Sequence, residues 1–300
     1  MWEVANKMAS VVVLLAVCCS AMLSIMSSLF NRKNIAFENA EYIYNFIVSL
    51  GAFGSWFVLF LLFFDFDFGV LKYSVLYGIC YSITFIALYK AIEHGTVSLT
   101  AFIKQLSLIG VAVWGFIFWN NSIKATIIIG ILFLIVSLYL CLNPSHTEKK
   151  KKQITPRWLF FCCVLFVANA GCSIVQKYQQ LEYAGNYGIF FMLCGAGFSV
   201  IISSLLLMKK MRNHTEQKVK ISKKSMVYPF IGGVSSAILN FSILRLMAFG
   251  ISESIFFPTI AVGGLIITTL FSSKICKEKL MMNQWVGLGI GMIALIFLNI

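Results

Sequence analysis

Lys104 is the residue of this chain best placed to do chemistry. It lies about seven residues into an apolar stretch, 97–119, roughly 10 Å from its end at 1.5 Å per helical residue. A charge at the centre of a membrane helix costs about 2.5 to 3.5 kcal/mol on insertion scales. Lys104 should therefore face an interior cavity, with Gln105 beside it. There it could receive a carboxylate or phosphate of a substrate, or carry a coupling proton. Snorkelling is the alternative, since a lysine stem can reach the head groups from that depth. Asn169 and Asn240 fall near the middles of two further apolar stretches. An unsatisfied amide in lipid is costly, so each must bond a substrate or a neighbouring helix. Tyr81, Thr84 and Ser107 are weaker candidates of the same type. Tyr81 and Thr84 share a helix face by their spacing, and an aromatic there could hold an apolar or cationic group or belong to the core.

A second group of charges sits where helices should end. Lys90 and Arg245 stand 155 residues apart, followed by Glu93 and Glu253. They are expected to be gate charges at two opposite mouths, with Gln176, Lys177 and Gln179 joining Arg245. Ordinary interfacial residues at helix ends are the other reading. Enzymatic chemistry is not expected, because no clustered His, Asp or nucleophile–base pair falls within the apolar stretches. Nor is a nucleotide-binding Gly-x-x-x-x-Gly-Lys-Ser/Thr loop present. The nine cysteines include no Cys-x-x-Cys, and most behave as small hydrophobes. His94, His146 and His214 fall in loops or at helix ends, so no metal or other cofactor is expected.

The elements that must hold these residues are membrane helices. Of the 300 residues, 60% are hydrophobic and 12% charged, with a mean hydropathy of +0.89. A soluble domain needs about a quarter of its residues charged. A spanning helix needs about 20 mostly apolar residues, and ten such stretches occur: 9–29, 43–64, 70–91, 97–119, 124–142, 157–179, 186–208, 227–249, 253–274 and 282–299. The net charge of +13 comes from lysines clustered in loops without interleaved aromatics, which argues against nucleic acid. Arg32 and Lys33, Lys90, Lys149 to Lys152, Lys209 to Lys224 and Lys274 to Lys279 all fall on one side of a ten-span layout. That side is expected to be cytoplasmic, leaving both termini extracytoplasmic.

The chain also reads as one design written twice. Glu278-Lys279-Leu280-Met281-Met282-Asn283-Gln284-Trp285-Val286-Gly287 leads into a closing apolar helix, as Asn121-Ser122-Ile123-Lys124-Ala125-Thr126-Ile127-Ile128-Ile129-Gly130 does earlier. An odd number of spans per copy inserts the second copy upside down relative to the first. The expected fold is an all-α membrane protein with ten transmembrane helices in two inverted five-helix repeats, 1–148 and 149–300, packed as one domain. Gly287 and Gly291 read as packing glycines. Gly232-Gly233 and Gly263-Gly264 either pack or give flexibility.

The Lys277-Glu278-Lys279-Leu280 turn and Gln284-Trp285-Val286-Gly287 resemble the ninth-to-tenth helix turn of the drug/metabolite transporter (DMT) superfamily, EamA-like branch. Gly250-Ile251-Ser252-Glu253 and the apolar run after it also resemble that family's spacing. Glu278 reads as a cap or pair of the tenth helix. The resemblance implies a ten-helix carrier of small metabolites with a cavity lined by helices one, three, four, six, eight and nine. The leading expectation is a secondary transporter of a small polar metabolite, amino acid-like or an organic anion or zwitterion. It would work in the plasma membrane by alternating access, driven by a coupling ion (proton or sodium) or by exchange, as a monomer or homodimer. A lipid or lipid-linked head-group flippase and a multidrug exporter are the alternatives.

Overall fold

Apolar side chains at every face of a stretch leave its backbone one way to satisfy its own hydrogen bonds without water, an α-helix. The computed structural model describes residues 2–34, 39–118, 125–142, 155–213, 223–248, 253–275, 280 and 282–297. Among them are ten α-helices and no strand: α1 (Trp2–Lys33), α2 (Ala40–Phe63), α3 (Leu71–His94), α4 (Val97–Phe118), α5 (Ala125–Leu142), α6 (Pro156–Glu182), α7 (Gly188–Asn213), α8 (Val227–Ala248), α9 (Glu253–Lys274) and α10 (Met282–Phe297). Short 3₁₀ turns, Phe68–Val70 and Lys223–Met226, precede α3 and α8.

Six helices among the described residues are long and apolar enough to cross a membrane: Ser10–Lys33 in α1, Ala40–Phe63, Phe68–His94, Pro156–Glu182, Gly188–Lys210 and Lys224–Leu246. Large apolar side chains such as Leu61, Leu62, Val167, Leu205 and Phe230 point outward. Water would penalise that surface by about 25 cal/mol per Å², and lipid does not. The chain is an all-α, multi-pass membrane protein.

The helices pack in a definite pattern. α3 lies along α6, and α8 along α1. α2 packs on α7 and on α8, while α3 packs on α7. α1 meets α9, α4 meets both α6 and α9, and α5 meets α10. Small residues allow the closest of these approaches. A Cβ on Gly233 of α8 would run into the backbone of Val48 and Ala52 on α2, and one on Gly51 into the Phe230 carbonyl. The α3–α7 contact is built alike, with Gly78 against the Gly195 carbonyl. Hydroxyls bind the same interfaces: Ser199 of α7 lies 2.7 Å from both Ser49 of α2 and Ser82 of α3.

Local chemistry sets several boundaries. The Thr155 side chain accepts from the Trp158 amide at 3.2 Å, and Pro156 occupies the first turn of α6, the combination that starts a helix well. Gly95 separates α3 from α4 where the Trp158 indole leaves no room for a Cβ. The same indole donates to Thr100 Oγ1 at 3.1 Å, tying α6 to α4.

The described termini of the helices define two ends of the bundle. One carries Arg32, Lys33, Lys90, Arg157, Lys209, Lys210, Arg212, Lys224 and Lys274, and is called the basic end. At it, Lys33 Nζ donates to Tyr228 OH at 2.6 Å and Arg32 to the Ile275 carbonyl at 3.4 Å. The opposite end carries Asp65, Asp67, Glu182, Lys72 and Arg245. Lys72 pairs there with Glu182 at 2.6 Å, not with the nearby aspartates, and Tyr73 OH donates to the same carboxylate. The divider 143–154, the 121–124 stretch and the Glu278 turn lie outside the described residues.

Candidate functional site

α4 presents Lys104 inward, and the side chain is buried. No carboxylate among the described residues lies within ion-pair distance of it. Its own turn is braced from α6: Asn169 Nδ2 donates to Ser107 Oγ at 2.5 Å, and Ser107 Oγ donates to the Lys104 carbonyl at 2.7 Å. Lys104, Ser107 and Asn169 therefore form one group. Gln105, a residue further round the helix, points elsewhere. Its Nε2 donates to Ser20 Oγ of α1 at 3.1 Å, beside Gly264 of α9, whose missing Cβ leaves space for that bond.

The α3 candidates divide between two neighbours. Tyr81 OH donates to Ser236 Oγ of α8 at 3.0 Å, and its ring stacks with Tyr77 and meets Phe85 edge-on. Thr84 Oγ1 donates to the Cys80 carbonyl at 2.8 Å and lies 4.0 Å from Cys172 Sγ on α6. Their spacing of three leaves about 60° between them on the helix. α3 packs along α6, on which Cys172 stands, whereas Tyr81 reaches across to α8, so that turn sends the two side chains to different partners. Asn240 Nδ2 is spent within α8, on the Ser236 carbonyl at 2.9 Å.

The two cations expected at the gates, Lys90 and Arg245, have different surroundings. At the basic end Lys90 lies 3.0 Å from Glu93 and 3.3 Å from Glu41 of α2. Glu41 is buried, and His94 Nδ1 stands 2.9 Å from the Lys90 carbonyl. Sequence reasoning did not single out Glu41. Its signal was an acid three residues after Glu38 at the head of an apolar stretch, with nothing in the spacing to connect it to Lys90. At the opposite end Arg245 lies over the rings of Phe63 and Phe241, and it lines a cavity of about 560 Å³. Gln180, not Gln176 or Gln179, shares that cavity wall. Gln179 is buried and donates to the Asn186 carbonyl at 2.8 Å, bracing the turn after α6. Gln176 Nε2 is buried without a partner among the described residues, and Lys177 has a partner of its own. The Glu253 side chain lies outside the described residues.

Chemically, the Lys104 group offers a buried cation on a turn fixed by two hydrogen bonds, between helices that touch both halves of the chain. Among the described residues no cluster of His, Cys, Asp and Glu could hold a metal ion.

No family model matches this sequence, and no curated protein does. Among solved structures 28 chains match. One, described as "Crystal structure of protein", superposes with a TM-score of 0.63 over 97% of this chain and 96% of that one, at 9% identity. At such identity the likeness concerns the fold alone, and it extends over nearly the full length of both chains.

Proposed function

We propose that this chain is a secondary carrier that moves a small polar metabolite, amino acid-like or otherwise anionic or zwitterionic, across the plasma membrane by alternating access. In this reading it is an EamA-like member of the DMT superfamily, with ten membrane helices in two inverted repeats, 1–148 and 149–300. The supporting observation is the pairing of helices. Exchange each helix with the one five places on, and α3–α6 becomes α8–α1, α2–α8 becomes α7–α3, and α1–α9 becomes α6–α4. The contacts α2–α7, α4–α9 and α5–α10 map onto themselves. The glycine crossings obey the same exchange, Gly51 with Gly233 answering Gly195 with Gly78. A two-fold axis in the membrane plane produces such a pattern, and a protein with one can exchange the conformations of its halves.

The basic end faces the cytoplasm by the positive-inside rule. Lys104 is the substrate's or coupling proton's contact, positioned by Ser107 and Asn169, and the metabolite passes chemically unchanged. Reconstituted into proteoliposomes, the protein should show saturable uptake of at least one labelled amino acid, organic acid or quaternary amine. Lys104→Ala should lower that uptake at least about tenfold, the loss of one 1.4 kcal/mol contact. Unaltered flux of every active compound in the mutant would remove Lys104 from the pathway. No flux of any compound would remove the carrier.

A further inference from the structure

At the end of the bundle opposite the basic end, the tip of α2, the 183–187 turn, the start of α7 and the last turns of α8 enclose the cavity of about 560 Å³. Pockets for small ligands run from about 300 to 1,000 Å³. Arg245 stands on its wall with its guanidinium 4.9 Å from the Phe63 ring centroid and 5.0 Å from that of Phe241. No carboxylate among the described residues reaches it. Contact with both rings restrains the guanidinium in advance, so less rotamer freedom remains to be lost when its fork of N–H groups meets a carboxylate.

Lys90 is the informative contrast. It occupies the corresponding place on α3, and two carboxylates hold it, Glu93 from its own helix and Glu41 from α2. Around Arg245 the chain supplies instead Ala184, Gly185 and Asn186 from the turn leading into α7, none of them acidic. No carboxylate among the described residues pairs with Arg245 as Glu41 does with Lys90, although Asp65 shares the cavity lining. That comparison rests on the inverted repeat proposed above, whereas the cavity and the aromatic clamp do not.

We infer that this cavity is a binding site for a small amino-carboxylate with an apolar side chain, its carboxylate on Arg245. Asp65, also on the lining, takes the ammonium. Phe64 adopts φ 32°, a left-handed conformation that residues with a Cβ rarely take. It turns the chain out of α2 just before Asp65. Ile189, Phe241 and Leu244 provide the apolar wall. Ala184, Gly185 and Asn186 are exposed, so the site opens toward water at the membrane surface.

Isothermal titration of the full chain in phosphatidylcholine nanodiscs tests this, with L-leucine, 4-methylpentanoate and 3-methylbutylamine as probes. Leucine should bind, the acid lacking the ammonium several-fold more weakly, and the amine lacking the carboxylate at least about tenfold more weakly. Arg245→Gln should weaken leucine at least about tenfold, and Arg245→Lys, which keeps the charge but loses the planar fork, by less. Asp65→Asn should bring leucine to the level of 4-methylpentanoate. Unfolding midpoints equal to wild type confirm that the variants are folded. The site is overturned if leucine does not bind, if the amine binds as well as leucine, or if folded Arg245→Gln binds leucine unchanged. Phospholipid that co-purifies with wild type but not with Arg245→Gln would assign the cavity to a head group and equally overturn it. Arg245-dependent binding without any flux removes the carrier and leaves this site standing. Flux without such binding does the reverse.

Discussion

Lys90 has two acidic partners of unequal worth, and their burial says which matters more. Glu93 is 36% exposed and sits three residues along the same helix, a geometry worth about 0.3 to 0.5 kcal/mol at a surface. Glu41 is 8% exposed and comes from α2. Removing it strips a buried contact between two helices, and losses of this kind approach about 3 kcal/mol when the remaining charge is buried. Lys90 keeps some access to water and a second carboxylate, so Glu41→Gln should cost about 1 to 2 kcal/mol. Thermal unfolding in detergent should show a larger drop for Glu41→Gln than for Glu93→Gln, and the reverse order would mean that Glu93 carries the contact. Asn45 calls for the opposite prediction. It is fully buried, and neither amide atom has a partner among the described residues. An unpaired buried amide costs about 1 to 3 kcal/mol, so Asn45→Leu, which keeps the branching at Cγ and the number of heavy atoms, should leave the midpoint unchanged or raise it. A clear fall would show that the amide is bonded in the folded protein. These cases mark what was legible at the scale of residues. Lys90 with Glu93, and Lys104 with Ser107, lie within one turn of a helix, so spacing connects them. Glu41 with Lys90, and Asn169 with Ser107, connect across helices whose neighbours no spacing reveals.

The helices themselves were written plainly in the sequence, because a run of apolar residues in lipid admits few structures. The expected stretch 43–64 corresponds to Ala40–Phe63, and 253–274 to Glu253–Lys274. α1 is the exception, running from Trp2 through Lys33 where 9–29 was expected. At 1.5 Å per residue its 32 residues span about 48 Å, beyond a hydrocarbon core of about 30 Å. Hydropathy marks where a helix meets lipid, not where its hydrogen bonds stop. The glycines divide by what surrounds them. Gly291 packs against Phe102 and Ser137, and Ser137 Oγ donates to the Gly287 carbonyl at 2.6 Å, so both serve the α5–α10 contact. Gly233 faces the α2 backbone with no room for a methyl group, while Gly54, on α2, has nothing within 4 Å of where its Cβ would stand. Gly233→Ala must therefore push α2 and α8 apart, and overpacking of this kind costs about 1 to 3 kcal/mol. Gly54→Ala should be neutral or gain up to about 1 kcal/mol of helix propensity. Unfolding midpoints of the two variants measure the difference, and equal values would mean that the α2–α8 crossing yields easily.

At the scale of the whole molecule, the two proposed halves are not in the same state. At the basic end α3 packs against α1 and α2 as well as α6 and α7. Tyr44 meets Tyr89 and Phe85 there, beside the Glu41–Lys90 pair. The equivalent contacts of α8 with α6 and α7 are weaker, and at that end lies the cavity beneath Arg245. In the proposed carrier the basic end is thus the closed mouth and the opposite end the open one. A carrier with an in-plane two-fold axis has a second state, of comparable energy, in which those roles are exchanged. In the carrier proposed above the Glu41–Lys90 contact belongs to the state whose basic end is closed, so weakening it should favour the other state. A loss of about 1.4 kcal/mol from one of two states moves their ratio about tenfold. Leu244 lines the cavity and packs beside Gly188 at the start of α7, so a cysteine in its place reports whether that mouth is open. Leu244→Cys should react with a membrane-impermeant maleimide, measured against the background of the native cysteines. Adding Glu41→Gln should slow that reaction several-fold as the cavity closes more of the time. Adding Glu93→Gln, which leaves the contact between α2 and α3 in place, should slow it less. If Glu41→Gln lowers the unfolding midpoint yet leaves the labelling rate untouched, the ion pair stabilises the fold without setting which mouth is open, and the closed basic end is not a gate.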